Sequence, residues 1–231
     1  MARLKRIVIP GLPHHVTQRG VRRCDTFIDV QDREVYARLL RVSCKKYSLE
    51  VCAYCWMTNH VHLIAVPRYE SSLAFVLRDT NGLYAIYFNR KYGFSGHLWQ
   101  ARFYSCVVSE DRFWSAIGYV ERNPIRARMV VRAEEYRWSS AAAHCLDQPD
   151  SLLTPLGPTP QLISDWSAWL AEEDDPEELK AIRSSTSTGR PFASQSYLEQ
   201  LERRLGLTLL PRKRGRRPKN PPPGEPIIWV K

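Results

Sequence analysis

A largely apolar run spans residues 48–57 and an apolar, β-branched one, alternating at His60-Val61-His62, spans residues 60–66, on either side of Thr58-Asn59, which predicts a strand, a tight turn and a second strand. A shorter run from His14 to Gly20 reads as an earlier strand, and Arg19, Arg22 and Arg23 lead from it into a basic turn. Between these runs the period lengthens to that of a helix. Residues 32–46 carry Val35, Leu39, Val42 and Lys46 as a stripe with Leu40 beside it. Ser71 or Ser72 can cap a second helix running to about Arg90, with Leu73, Val76, Leu77, Leu83, Ile86 and Tyr87 on one side, and Gly93 to Gly96 breaks it. Residues 102–108 alternate once more, and Ser109-Glu110-Asp111 opens a helix to about Arg122 that carries Phe113, Ile117 and Val120.

The order is therefore β-α-β-β-α-β, an α+β chain of ferredoxin-like type: an antiparallel sheet with helices on one face and an open face that can take a nucleic acid strand. Its third strand is central, and period-two alternation puts His60 and His62 on one side of it with Val61 opposite. Two imidazoles at i and i+2 of a strand stand close enough to share one cation, although a bare His-x-His is more often half-buried and satisfied by neighbours.

Past residue 146 the pattern changes. Prolines 149, 155, 158 and 160 mark a linker, residues 161–175 suggest a helix with Trp166 and Trp169, and residues 177–182 suggest another. Ser194 or Ser196 can cap a helix ending at Gly206, with Tyr197, Leu198, Leu201 and Leu205 on one side. The expected partition is a nuclease-type domain over 1–146, an acidic linker with short helices over 147–193, and a helix with a basic tail over 194–231.

Charge follows the same partition. Residues 1–146 carry a net +10, residues 147–179 a net −9 and residues 180–231 a net +9. Two basic blocks flank an acidic one, so a polyanion is the expected partner and the middle segment either packs on a basic surface or stays solvated. In the tail, Arg212, Lys213, Arg214, Arg216 and Arg217 are candidate DNA contacts. Gly215-Arg216-Arg217-Pro218 is similar to an AT-hook, which reads a narrow minor groove, although plain phosphate attraction is the favoured account of it. Six cysteines are scattered, and only Cys52 and Cys55 are close in sequence. Their odd offset in a strand predicts opposite faces, so all six are read as reduced, mostly buried thiols. No apolar run is long enough to span a bilayer and the N-terminal one is too short for a signal peptide, which places the protein in the cytoplasm, near the nucleoid.

Asn59-His60-Val61-His62-Leu-Ile, preceded by Tyr-Cys-Trp-Met-Thr, resembles the His-hydrophobic-His motif of the single-tyrosine transposases, and more narrowly of the REP-associated tyrosine transposases. The likeness extends to His15-Val-Thr-Gln-Arg-Gly20, Gly96-His-Leu-Trp-Gln100, Arg102-Phe-Tyr-Ser105, Tyr119-Val-Glu-Arg-Asn-Pro124 and Tyr136-Arg-Trp-Ser-Ser140, in order, over roughly residues 7–145. The resemblance implies a nuclease and strand transferase acting on single-stranded DNA that carries repetitive extragenic palindromic hairpins. Tyr119 would be the nucleophile, forming a 5′-phosphotyrosine and freeing a 3′-OH. His60 and His62 would ligate a divalent cation, Mg²⁺ or Mn²⁺, with the amide oxygen of Asn123 as third ligand. Asn123 also has a competing reading, as N-cap before Pro124 of a helix over 125–131.

Beside these, His97, Trp99, Gln100 and Arg102 form a loop in which aromatics that stack bases alternate with phosphate-binding groups, and they are candidate DNA contacts together with Arg19, Arg22 and Arg23. Of His14 and His15 only one can face the site, and neither is taken as a ligand; Glu121 is expected to face elsewhere. Insertion-sequence relatives are dimers, but a monomer is the expectation here. The rival readings are a non-catalytic DNA-binding protein that keeps the fold, and a rolling-circle initiator or relaxase-like nickase. The latter often has two tyrosines on one helix, whereas residues 110–122 hold only Tyr119.

Overall fold

A computed structural model of the chain describes residues 6–155, 163–206 and 209. Strands β1 (His14–Arg19), β2 (Leu49–Trp56), β3 (His60–Pro67) and β4 (Tyr104–Val107) form one sheet in the order β2-β3-β1-β4, antiparallel throughout. With helices α1 (Val30–Tyr47) and α2 (Ser72–Tyr92) between them, this is the expected ferredoxin-like arrangement, and β3 is internal.

One sheet face is covered by α1 and α2. Their buried stripes differ from the expected ones: α1 turns Tyr36, Leu40 and Cys44 to the sheet and leaves Val42 exposed, and α2 buries Leu73, Val76, Leu77, Tyr84 and Phe88 while Leu83 and Ile86 face solvent. The cause is that tyrosines can be buried when their hydroxyls find acceptors. Tyr36 donates to Asn81 Oδ1 at 3.1 Å and Tyr84 donates to the Thr26 carbonyl at 2.5 Å, so both rings fill the core, each contributing on the order of 2 kcal/mol by area. A capping box between Asp29 and Asp32 opens α1, and the buried Asp32 carboxylate accepts from Lys91 and Tyr92 of α2, locking the helix pair.

The opposite face is not open, contrary to expectation. Helix α3 (Phe113–Glu121) lies over β2 and β3, and α7 (Pro176–Thr188) lies over β4 and β1, burying Ile64, Cys106, Ile117, Val120, Ile182 and Phe192 between them. Cys52 and Cys55 both belong to this layer. The register slips between Val51 and Ala53, and this bulge turns Cys52 to the side that plain alternation had denied it. All six thiols are free, and burial pushes those of Cys52 and Cys106 up to about 12, so they stay protonated and inert.

The remaining helices are α4 (Asn123–Arg126), α5 (Ala141–Leu146), α6 (Trp166–Ala171) and α8 (Gln195–Leu205). Helix α6 is shorter and α7 longer than the sequence pattern suggested. Helix α8 starts after Ser194 and ends at Gly206, whose φ of +63° closes it as expected. The acidic stretch is packed rather than solvated: Asp174 pairs with Arg122 and Arg126, and Glu178 with Arg112. Among the described residues no helix is long and apolar enough to cross a membrane. Arg212, Lys213, Arg214, Arg216 and Arg217, with the AT-hook-like run, lie outside the described residues.

Candidate active site

Three histidines meet on the α3-covered face. Register pairs His15 with Ile64, Thr17 with His62 and Arg19 with His60, so alternation aims His15, His60 and His62 to the same side. The His60 and His62 rings are 5.0 Å apart between centroids. His15 Nε2 lies 2.9 Å from His62 Nδ1, with the two rings nearly parallel at 4°. Burial keeps all three neutral: desolvation, helped by the charge of Arg19, lowers His60 to about 4; desolvation and Arg126 lower His15 to about 3; and desolvation with the neighbouring histidines holds His62 well below its usual value.

Tyr119 comes from the helix above. A turn over Glu110–Arg112 leads into α3, whose Ala116, Ile117 and Val120 pack down on the sheet. Gly118 lets α6 approach closely, because a Cβ there would stand 3.0 Å from the Trp169 ring. One residue on, the buried Tyr119 ring meets His15 edge-on at 5.4 Å and His62 at 5.7 Å. The Arg126 guanidinium lies 4.6 Å from the ring centroid, donates to the Tyr119 carbonyl and pairs with Asp174 Oδ2 at 2.7 Å. Arg122 donates to the carbonyls of Trp169 and Leu170 and to Asp174 Oδ1. A cavity of about 200 Å³, lined among others by Ser115, Tyr119, Arg122, Trp169 and Asp174, opens beside the ring.

Asn123 does not take the N-cap place that one of its two readings gave it. It is the first residue of α4 and not the cap, which is Arg122, and α4 ends at Arg126 rather than continuing to 131. Its amide nitrogen donates back to the carbonyls of Tyr119 at 2.9 Å and Val120 at 3.1 Å. That bonding satisfies the end of α3 and leaves the carboxamide oxygen, the prong a cation would use, on the other side of the group. Glu121 faces elsewhere as expected. Its fully buried carboxylate accepts from Ser140 Oγ, from Trp166 Nε1 at 2.9 Å and contacts His144 Nδ1 at 2.6 Å, pinning α5 and α6 to α3.

The candidate DNA contacts gather at one end of the sheet. Main-chain bonds run from Val21 N to Leu98 O, from Gln100 N to Arg19 O and from Gly20 N to Asn59 O, so the turn with Arg22 and Arg23 and the loop with His97, Gln100 and Arg102 flank the start of β3 at His60. Gly20 permits this, since a Cβ would fall 2.4 Å from the Cys24 carbonyl oxygen. Arg22, Arg23, His97, Gln100 and Arg102 are exposed. Trp99 is half-buried: its indole N–H donates to the Asn81 carbonyl at 3.0 Å and its ring lies against Tyr36 and Tyr84, so it fastens the loop to the core.

The donor set fits a divalent cation. Asn59 Nδ2 donates to the Arg23 carbonyl, which turns its Oδ1 to His60 Nδ1 at 2.7 Å. His60 is thereby protonated on Nδ1 and bare on Nε2, the form that ligates metals. Among the described residues no three His, Cys, Asp or Glu side chains are grouped so as to hold a metal ion.

Sequence reasoning considered His15 only as a ligand, and declined it, and it passed over Arg126, Asp174 and Thr186, which touches His15 Nδ1 at 2.7 Å. Of these only Arg126 carried a usable signal, lying two helical turns after Tyr119. Residues 11–123 match the family described as IS200-like transposases. None of the curated proteins matches the chain. Among solved structures, the fold is similar to that of a REP-associated tyrosine transposase bound to a REP hairpin, with a TM-score of 0.51, 15% identity, and coverage of 67% of this chain and 92% of that one. A candidate transposase from Deinococcus radiodurans R1 aligns with a TM-score of 0.36 and 20% identity, over 52% of this chain and 96% of its own. Over residues 11–123 the chain is thus similar in sequence to the IS200-like transposases.

Proposed function

We propose that the protein is a metal-dependent endonuclease and strand transferase for single-stranded DNA carrying repetitive extragenic palindromic hairpins, working through a covalent 5′-phosphotyrosine on Tyr119. The observation that carries this reading is the meeting of Tyr119 with His62 at 5.7 Å, and of His62 with His60, from a helix and a strand distant in sequence. The match of residues 11–123 to the IS200-like transposases and the fold shared with a hairpin-bound protein support the substrate class.

In the proposed chemistry the Tyr119 oxygen attacks the scissile phosphorus, the bond to the 3′ oxygen breaks, and that oxygen leaves as a 3′-OH after taking up a proton. Return attack by a 3′-OH releases the tyrosine, so bond energy is conserved and no nucleotide cofactor is needed. His60, His62 and Asn123 would hold Mg²⁺ or Mn²⁺, which supplies Lewis-acid polarisation of the phosphate. Imidazole donors favour Mn²⁺. Arg126 fixes Tyr119 through its carbonyl and ring face. Arg19, Arg22, Arg23, His97, Gln100 and Arg102 would hold the DNA backbone at the His60 end, on a loop that Trp99 anchors, and Arg212, Lys213, Arg214, Arg216 and Arg217 would add phosphate contacts from the tail.

A second reading, a DNA-binding protein without catalysis, draws on the burial of Tyr119 and the hold of Asp174 on Arg122 and Arg126. Denaturing electrophoresis of labelled hairpin DNA with Mn²⁺ or Mg²⁺ separates the two. A DNA-linked protein band in the wild type that Tyr119→Phe abolishes is the expected result. Binding without cleavage by either protein would favour the second reading, and equal cleavage by both would remove Tyr119 as nucleophile.

A further inference from the structure

The cation reading above takes both ligating rings from one strand, but the hydrogen bonds that orient them come from elsewhere. Thr186, on α7, donates its hydroxyl proton to the Ile182 carbonyl at 2.7 Å. Its oxygen can then only accept from His15 Nδ1, 2.7 Å away. A neutral imidazole protonated on Nδ1 is bare on Nε2, and His15 Nε2 faces His62 Nδ1 at 2.9 Å. The proton between them must therefore sit on His62. His15, His62 and Thr186 are 1%, 5% and 5% exposed, so water does not compete for these bonds.

We propose that His15 and Thr186 are positioning residues for the cation site: a relay from α7 through β1 that fixes His62 with Nδ1 protonated and Nε2 bare toward the metal. The inference rests on the cation reading of His60 and His62. His60 has its own orienting partner in Asn59, so the two ligands present equivalent nitrogens by independent means. The opposite relay would have Thr186 donate to His15 and His15 to His62, leaving His62 Nε2 protonated and repelling a cation. It would also forfeit the bond from Thr186 to Ile182. His15 thereby acts through His62 and has no lone pair left to ligate with. Thr186 lies beyond the stretch that matches the transposase family, which makes the C-terminal extension part of the site and not an appendage to it.

The test uses the full chain and the isosteric variant Thr186→Val, with Thr186→Ser as the conservative variant. Long-range ¹H–¹⁵N correlation of the imidazoles in metal-free protein reports which nitrogen of His62 is protonated, and Mn²⁺ binding is followed by electron paramagnetic resonance. The expected result is an Nδ1-protonated His62 in the wild type, a shift toward the Nε2-protonated form in Thr186→Val with Mn²⁺ affinity reduced about 10-fold, and recovery of both in Thr186→Ser. An Nε2-protonated His62 in the wild type overturns the proposal. So does Mn²⁺ binding that is abolished by His62→Ala but unchanged in Thr186→Val, which leaves the cation reading intact. Absence of Mn²⁺ binding by the wild type overturns the cation reading and the proposal with it.

Discussion

Acidification should destabilise this protein in part through a histidine that has no part in the chemistry, beside the buried histidines of the site. His14, the first residue of β1, is fully buried, with Nδ1 donating to the Leu12 carbonyl at 2.8 Å and Nε2 accepting from the Ile9 amide at 3.2 Å. A second proton on this ring would face a donor with a donor inside the core, and desolvation lowers its pKa from 6.5 to about 4. The sign follows from linkage. Above 6.5 both folded and unfolded chains hold a neutral ring and stability is unaffected. As pH falls from 6.5 toward 4 the unfolded chain binds a proton that the folded one refuses, and stability is lost. Between pH 7 and pH 5 this histidine alone costs about 2 kcal/mol, and about 3 kcal/mol once pH reaches its folded pKa. Urea unfolding at both pH values measures the loss in the wild type. In His14→Gln the side-chain carbonyl can still accept from Ile9, so stability at pH 7 should drop modestly while the pH 7 to pH 5 loss shrinks by about 2 kcal/mol. An unchanged pH slope in the variant would refute the assignment of the penalty to His14.

Two more outcomes follow from the packing. Gly20→Ala places a methyl against the Cys24 carbonyl and Thr26, so the turn with Arg22 and Arg23 must shift. The variant should lose about 1–3 kcal/mol and bind hairpin DNA more weakly at low salt, and wild-type binding would sink the view that this turn meets the phosphates. Glu121→Ala strips the acceptor shared by Ser140, His144 and Trp166 and should cost about 2–4 kcal/mol in thermal unfolding; a loss below about 0.5 kcal/mol would mean that water replaces the carboxylate without penalty.

The strand and helix order was readable because each element repeats its own period, and local periodicity survives folding. The His60 and His62 pair, the sheet order implied by β-α-β-β-α-β, and the start of α8 after Ser194 and its stop at Gly206 all followed from spacing and turn chemistry, although the Ser194 side chain makes no capping hydrogen bond. Tyr119 as nucleophile came from a motif likeness, since its spacing alone describes a core aromatic. The stripes of α1 and α2 were misjudged where buried tyrosines replaced aliphatic residues, because whether a hydroxyl can be buried depends on an acceptor from another element. Cys52 and Cys55 share a face because of a bulge that no alternation rule contains. The closed second face, the pairing of Asp174 with Arg122 and Arg126, and the contact of Thr186 with His15 each join residues 48 or more positions apart. The sequence determined which segments are strands and helices and that His60 and His62 share one face of a strand. Only the tertiary structure decided which nitrogen each imidazole offers, because a tautomer is set by the partner on the far side of the ring, and that partner arrives through packing.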